Sequence, residues 1–174
     1  MQETAKQYTE RILAFVEGKE ALKVQQETPK RLKKLIARLS KKQLTRCPAP
    51  GKWSINEILA HLADTELVGS WRMRQILGNN GAALQAYNQD AWAEALGYTK
   101  RDAKVSLATF RMLRENNLGL LKSLPKNVWE NYGVHEERGK ETLSHIVRMF
   151  AGHDLNHLSQ VEKIVKESRK KRAA

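Results

Sequence analysis

Apolar residues recur at the three- and four-residue spacing of amphipathic helices along almost the whole chain. The strict alternation of a half-buried strand is missing, and glycine and proline are sparse. A first helix fits residues 3–17 and ends near Gly18. Thr28 followed by Pro29 reads as an N-cap and a first helical position, opening a helix to about Leu39. These two pieces are compatible with one interrupted arm. CPAPGKW, residues 47–53, is a turn-rich break. SINE, residues 54–57, is a capping box in which Ser54 caps and Glu57 reaches back. It opens a helix over 55–77, which GNNG at 78–81 stops. Short turns and loop around Tyr87, Asp90 and Trp92 fill 82–98. A helix over 101–123 is closed by Pro125. A linker with Trp129, Tyr132 and His135 passes through Gly139, and the last helix covers 141–168. With the N-terminal arm as the first rod, the expectation is an all-α four-helix bundle with one long connection between helices 2 and 3.

Helical arithmetic then places the polar exceptions. On the last helix Leu143, Ile146, Val147, Phe150, Val161, Ile164 and Val165 share one stripe. His153 and His157 lie about 40° apart at its edge, at 100° per residue. Two histidines four apart can hold one metal ion, although many helices carry such a pair without metal. Asp154 falls inside the stripe, where a carboxylate needs a partner. Either it fixes the tautomer of a ligand histidine, or it pairs with an arginine of another helix. Gln160 faces the same groove, for substrate or for a neighbouring backbone group.

A metal centre needs a third protein ligand. His61 sits at the edge of the stripe formed by Ile55, Ile58, Leu59, Leu62 and Met73, and a bundle brings such faces together. His145 points about 80° away from His153, and His135 lies in the linker. His61 is thus the geometrical choice, with a plain packing role as the alternative. Glu66, about one turn on, could be a further ligand, a general base, or the partner of an arginine such as Arg111. Trp53, Tyr87 and Trp92 could line a pocket mouth or belong to the core.

Composition changes this picture in a few respects. A length of 174 residues, 41% of them hydrophobic, suits one domain over 1–174. The lone Cys47 excludes an intrachain disulfide and suggests a reducing compartment, the cytoplasm. No run has the length of a membrane span, and the start of the chain lacks the pattern of a secretory signal. The net charge of +12 is concentrated. KRLKKLIARLSKKQLTR, residues 30–46, carries eight basic groups and no acidic one. A second cluster ends the chain, where residues 169–174 are expected to be disordered. The charge is read first as a solvated face, and secondarily as a surface for nucleic acid or another polyanion.

KWSINEILAHLADTE on the second helix and HDLNHLSQ on the last resemble the DinB-like superfamily of bacterial four-helix-bundle proteins, over roughly residues 25–168. The Trp53–Ser54 pair, the spacing around Phe110 and Arg111, and the segment from Gly133 to Leu143 support the resemblance. It implies a metal triad of His61, His153 and His157 binding a divalent ion such as zinc or nickel. It also implies a homodimer and a small-molecule substrate. The family includes a group described as metal-dependent hydrolases, and its branches include thiol transferases that use bacillithiol and isomerases that use mycothiol, so the bound metal would activate water or a thiol. Glu66 or Asp154 would then move the proton, and Trp53, Trp92 and Gln160 would contact substrate or cofactor. Asn156 stands where a frequent variant has histidine, which leaves the branch open. The alternatives are a binding module that uses the basic surface and a scaffold without activity.

Overall fold

The computed structural model describes residues 3–173, with side chains through Ser168. Seven helices carry most of it: α1 (Ala5–Val16), α2 (Ala21–Ile36), α3 (Lys41–Leu44), α4 (Ile55–Gly78), α5 (Gln89–Ala95), α6 (Ala103–Ser123) and α7 (Leu143–Ala173). Strands β1 (Ala82–Leu84), β2 (Tyr132–His135) and β3 (Gly139–Thr142) form a small sheet, with β1 parallel and β3 antiparallel to β2. These strands were not expected. At three or four residues each, they are too short to show an alternating pattern. The expected disorder of residues 169–174 concerns side chains outside the described residues.

The bundle consists of α2, α4, α6 and α7. Arg101, just ahead of α6, bonds Asp64 of α4, and Arg74 of α4 bonds Asn116 of α6. These two helices therefore run in the same direction. Parallel neighbours need a connection that returns the full length of the bundle, and residues 79–102 supply it. Likewise α2 parallels α7, with Gln25 bonded to the Val147 carbonyl and Arg31 to Glu162. Helix α4 crosses α7 in the opposite sense. A Cβ on Gly69 of α4 would fall against the Phe150 ring of α7, so glycine permits the close approach.

Helix α2 starts eight residues earlier than the Thr28–Pro29 signal predicts, and Pro29 lies inside it. A proline there removes the N–H that would satisfy the carbonyl of Gln25. The guanidinium of Arg114 on α6 replaces it, with Nη1 donating to Gln25 O at 3.0 Å. Helix α1 is not a bundle member. It packs on α7 through buried Ile12 and Val16, directly over Gly152.

The core has two apolar clusters. One contains Leu32, Ile36, Ile55, Ile58, Leu59, Leu62, Phe110, Leu158 and Val161. The other contains Met73, Ile76, Leu84, Leu121, Leu143, Ile146 and Val147. Where the clusters meet, both α4 and α7 also bury polar side chains: His61, Glu66 and Ser70 on one, His153, Asp154 and His157 on the other. The candidate site is built in this polar belt.

Candidate metal centre

The antiparallel crossing of α4 and α7 brings three imidazoles to one point. The Nε2 atom of His153 lies 3.0 Å from that of His61 and 3.1 Å from that of His157. All three rings are buried. Trp53 closes one side, with its ring centroid 4.8 Å from that of His61 and its plane within 14° of that of His157.

The protonation of the cluster follows from its surroundings. Burial is the first cause that lowers all three histidines below the usual range, His157 to about 4. The mutual repulsion of the rings adds to this at His61 and His153. His157 Nδ1 stands 2.9 Å from Gln160 Oε1, an acceptor, which places the proton on Nδ1 and leaves Nε2 as a bare lone pair. His153 Nε2 is then flanked by two imidazole nitrogens, and a single proton on it can serve only one of them. A cation at the convergence point would satisfy all three lone pairs at once. The donor set therefore fits a divalent metal that prefers imidazole, and these three are the group among the described residues able to hold one.

Asp154 and Glu66 do not hydrogen-bond the histidines. Arg114 takes both. Its Nη1 donates to Asp154 Oδ2 at 2.5 Å and its Nη2 to Glu66 Oε2 at 2.8 Å, with a second bond to Asp154 Oδ1 at 3.1 Å. Asn117 donates to Glu66 Oε1 and to Ser70 Oγ. All three charges are buried. Burial pushes Asp154 up to about 6, against the pull of Arg114. Burial would also lower Arg114, but Asp154 and Glu66 together hold it above its ordinary value. The arginine expected opposite Glu66 was Arg111. That residue instead lies exposed beside Glu115, 3.8 Å away. Arg114, three residues on, faces inward in phase with Leu107, Phe110 and Leu118.

A cleft of about 620 Å³ opens over the cluster, lined by Trp53, His153, His157 and Gln160. Sequence reasoning missed its roof. Helix α1 contributes Tyr8 and Arg11, and Arg11 is held by Glu3 and by Asn156. Asn156 thus tethers the roof at the position where the resembling variant has histidine. A smaller chamber of about 80 Å³ lies against His61 and His153 and includes Tyr87, whose hydroxyl meets Thr65 at 3.0 Å. Trp92 does not line either space. It packs on Tyr87 at 4.5 Å. His135 is buried in β2 and His145 stands 3.7 Å from Glu141, both apart from the cluster.

Comparison with known proteins agrees with this architecture. The family model described as the DinB superfamily matches residues 26–161. A "Putative metal-dependent hydrolase" of Oceanobacillus iheyensis is 23% identical over 141 residues, 81% of each chain. A protein of the same description from Bacillus cereus (strain 03BB102) is 26% identical over 141 residues, again 81% of each. Among solved structures, YfiT from Bacillus subtilis is described as "a probable metal-dependent hydrolase with an unusual four-helix bundle topology". It superposes with a TM-score of 0.80 at 20% identity, over 96% of this chain and 90% of that one.

Proposed function

The chain belongs to the DinB superfamily, and from that premise we propose a metal-dependent enzyme that hydrolyses a small molecule at His61, His153 and His157. The observation that carries the reading is the meeting of three buried imidazole nitrogens, two of them 3.0 and 3.1 Å from the third. These separations suit ligands about 2.0–2.1 Å from a shared ion.

A zinc or nickel ion held there would supply Lewis acidity and acidify a bound water or thiol at neutral pH. The chain's own residues do the rest. Gln160 holds the His157 tautomer, Trp53 walls the rings, and Tyr8 and Arg11 limit water above them. Glu66 and Asp154 are assigned to clamping α4 and α7 through Arg114 rather than to proton transfer. The same centre could hold a low-molecular-weight thiol for S-transfer, so thiols belong in the substrate screen.

The cytoplasmic reading is supported by the free, exposed Cys47. No helix among the described residues is long and apolar enough to cross a membrane. For the homodimer, exposed Leu67 and Trp71 of α4 and Met112 of α6 offer an apolar surface. The eight basic side chains of residues 30–46 are all exposed, as a solvated face requires. If they instead carried the function, polyanion binding would fall steeply with salt.

The deciding experiment is elemental analysis of the untagged protein beside His61→Ala and His157→Ala. The parent should hold a stoichiometric divalent metal. Each variant should lose it together with the thermal stability that binding contributes. A parent that binds no added metal, with variants of equal stability, would refute the proposal.

A further inference from the structure

Five charged side chains among the described residues are buried: Glu66, Arg72, Arg114, Glu141 and Asp154. Four have opposite charges at hand. Arg114 meets Glu66 and Asp154, and Glu141 receives the fork of Arg138 at 2.7 and 3.0 Å. Arg72 has no carboxylate partner among the described residues. Its Nη2 donates to the Gln85 carbonyl at 2.6 Å and faces His135 Nε2 at 3.1 Å. The other nitrogen of that imidazole faces the backbone N–H of Glu137, and a neutral ring can accept from only one of the two. Arg72 Nε is buried with no hydrogen-bond partner among the described residues. A buried cation supported only by neutral acceptors is expensive unless an anion joins it.

Arg72 lines the chamber of about 80 Å³ that also touches His61 and His153. Thr65, Tyr87 and Arg138 contribute further polar groups, and no carboxylate among the described residues lines it. Drug-sized ligands need about 300 Å³ or more, so this space suits a single small anionic group. The larger cleft shares His153 with it.

We propose that this chamber is an anion subsite in which Arg72 binds a carboxylate of the substrate, while the substrate's body occupies the larger cleft. The inference rests on the hydrolase reading for its choice of bond. The substrate class is then a small acyl compound with a carboxylate only a few atoms from the bond that is broken. Arg138 adds field, but its fork is spent on Glu141. Arg72 is therefore the specificity-determining residue.

The test uses metal-free full-length protein, titrated with sodium acetate while the Arg72 Nε–H resonance is followed by NMR. Acetamide and sodium chloride are the controls. Acetate should shift that resonance saturably, and the controls should not. Arg72→Gln should weaken acetate binding, measured by the line broadening of ¹³C-acetate, by roughly tenfold to a hundredfold, the range for a charged hydrogen bond. An Arg72 resonance that acetate leaves in place, or equal acetate binding in Arg72→Gln, overturns the subsite. The first readout needs no variant, so a poorly folded Arg72→Gln does not decide the outcome. A separate titration with metal distinguishes the two proposals. Metal binding without any acetate effect removes only the subsite, whereas an acetate effect without metal binding removes only the hydrolase reading.

Discussion

Replacing Arg114 with Met tests the polar belt most directly. The side chain is 1% exposed and makes bonds to Asp154, Glu66 and the Gln25 carbonyl. Methionine keeps much of the volume but leaves two carboxylates buried side by side. Breaking a buried pair by removing one partner costs about 3–5 kcal/mol. The orphaned Gln25 carbonyl, which Pro29 cannot satisfy, adds about 1–3 kcal/mol if water does not reach it. Against a total stability of about 5–15 kcal/mol this is a large fraction. Taking 2–4 °C per kcal/mol for a chain of this size, the broken ion pair alone should lower the melting temperature by roughly 6–20 °C.

The assay is urea unfolding of metal-free protein, so that no ligand contributes. The midpoint should drop with the m-value unchanged, because the same surface is exposed on unfolding. The informative companion is the triple variant Arg114→Met, Glu66→Met, Asp154→Leu. If uncompensated charge is the cause, removing both carboxylates should recover most of the loss, since an apolar replacement of a whole buried network is often near neutral. A single variant within about 1 kcal/mol of the parent would refute the reasoning, that being well below the expected penalty. So would a triple variant no more stable than the single one.

Other outcomes follow from individual contacts. In Gly152→Ala the new methyl would fall on the Ile12 carbonyl, so α1 must lift. Overpacking of about 1–3 kcal/mol should outweigh the better helix propensity of alanine, and limited proteolysis near Gly18–Glu20 should accelerate; unchanged protection would argue against close docking. Gln160→Ala removes the acceptor at His157 Nδ1 and should weaken metal binding about 10–100-fold, with metal-free stability nearly unchanged because Gln160 is exposed. Competition with a chromogenic chelator measures this, and equal affinity would contradict the tautomer role. His135 is lowered to about 4, first by burial and then by Arg138 and Arg72. Its depressed value means that protons bind the unfolded chain preferentially, so its contribution is full above about pH 6.5 and is lost as pH falls toward about 4. Denaturation of metal-free parent and His135→Gln across that range should show a shallower acid limb in the variant, and parallel curves would exclude the effect.

The long helices were legible because their signals are local. The capping box at Ser54 forms as its sequence predicts. The elements expected over 55–77, 101–123 and 141–168 appear as Ile55–Gly78, Ala103–Ser123 and Leu143–Ala173. The start of α2 was not legible for the opposite reason. Thr28–Pro29 is a good local start signal, but the carbonyl that Pro29 leaves unsatisfied is bonded by Arg114, 89 residues away. Nothing near Pro29 in sequence announces that. The trihistidine cluster lies between these cases. Each histidine's position at a stripe edge is local arithmetic, whereas their convergence depends on how α4 crosses α7. The identity of the arginine opposite Glu66 was within reach. Arg114 shares the phase of Leu107, Phe110, Leu118 and Leu121, and only inward phase, not proximity to Phe110, selects a buried partner.

Arg72 is not legible in the sequence as a buried charge, because one cation among core residues looks like a surface position. It becomes informative when the buried charges are followed by location. Arg114 with Glu66 and Asp154 leaves one excess negative charge, and Asp154 directly follows His153 in α7. Arg72 and Arg138 line the chamber that touches the same histidine, and among the described residues Arg138 has a carboxylate partner, Glu141, while Arg72 has none. A divalent cation on the imidazoles is favoured by the first group and repelled by the second. An anionic substrate is favoured by the second and by the cation itself. The two groups beside one ligand therefore differ in what they favour, a cation at the imidazoles and an anion at Arg72. Neutral packing residues in the belt would hold the helices together equally well, but they would provide no such difference.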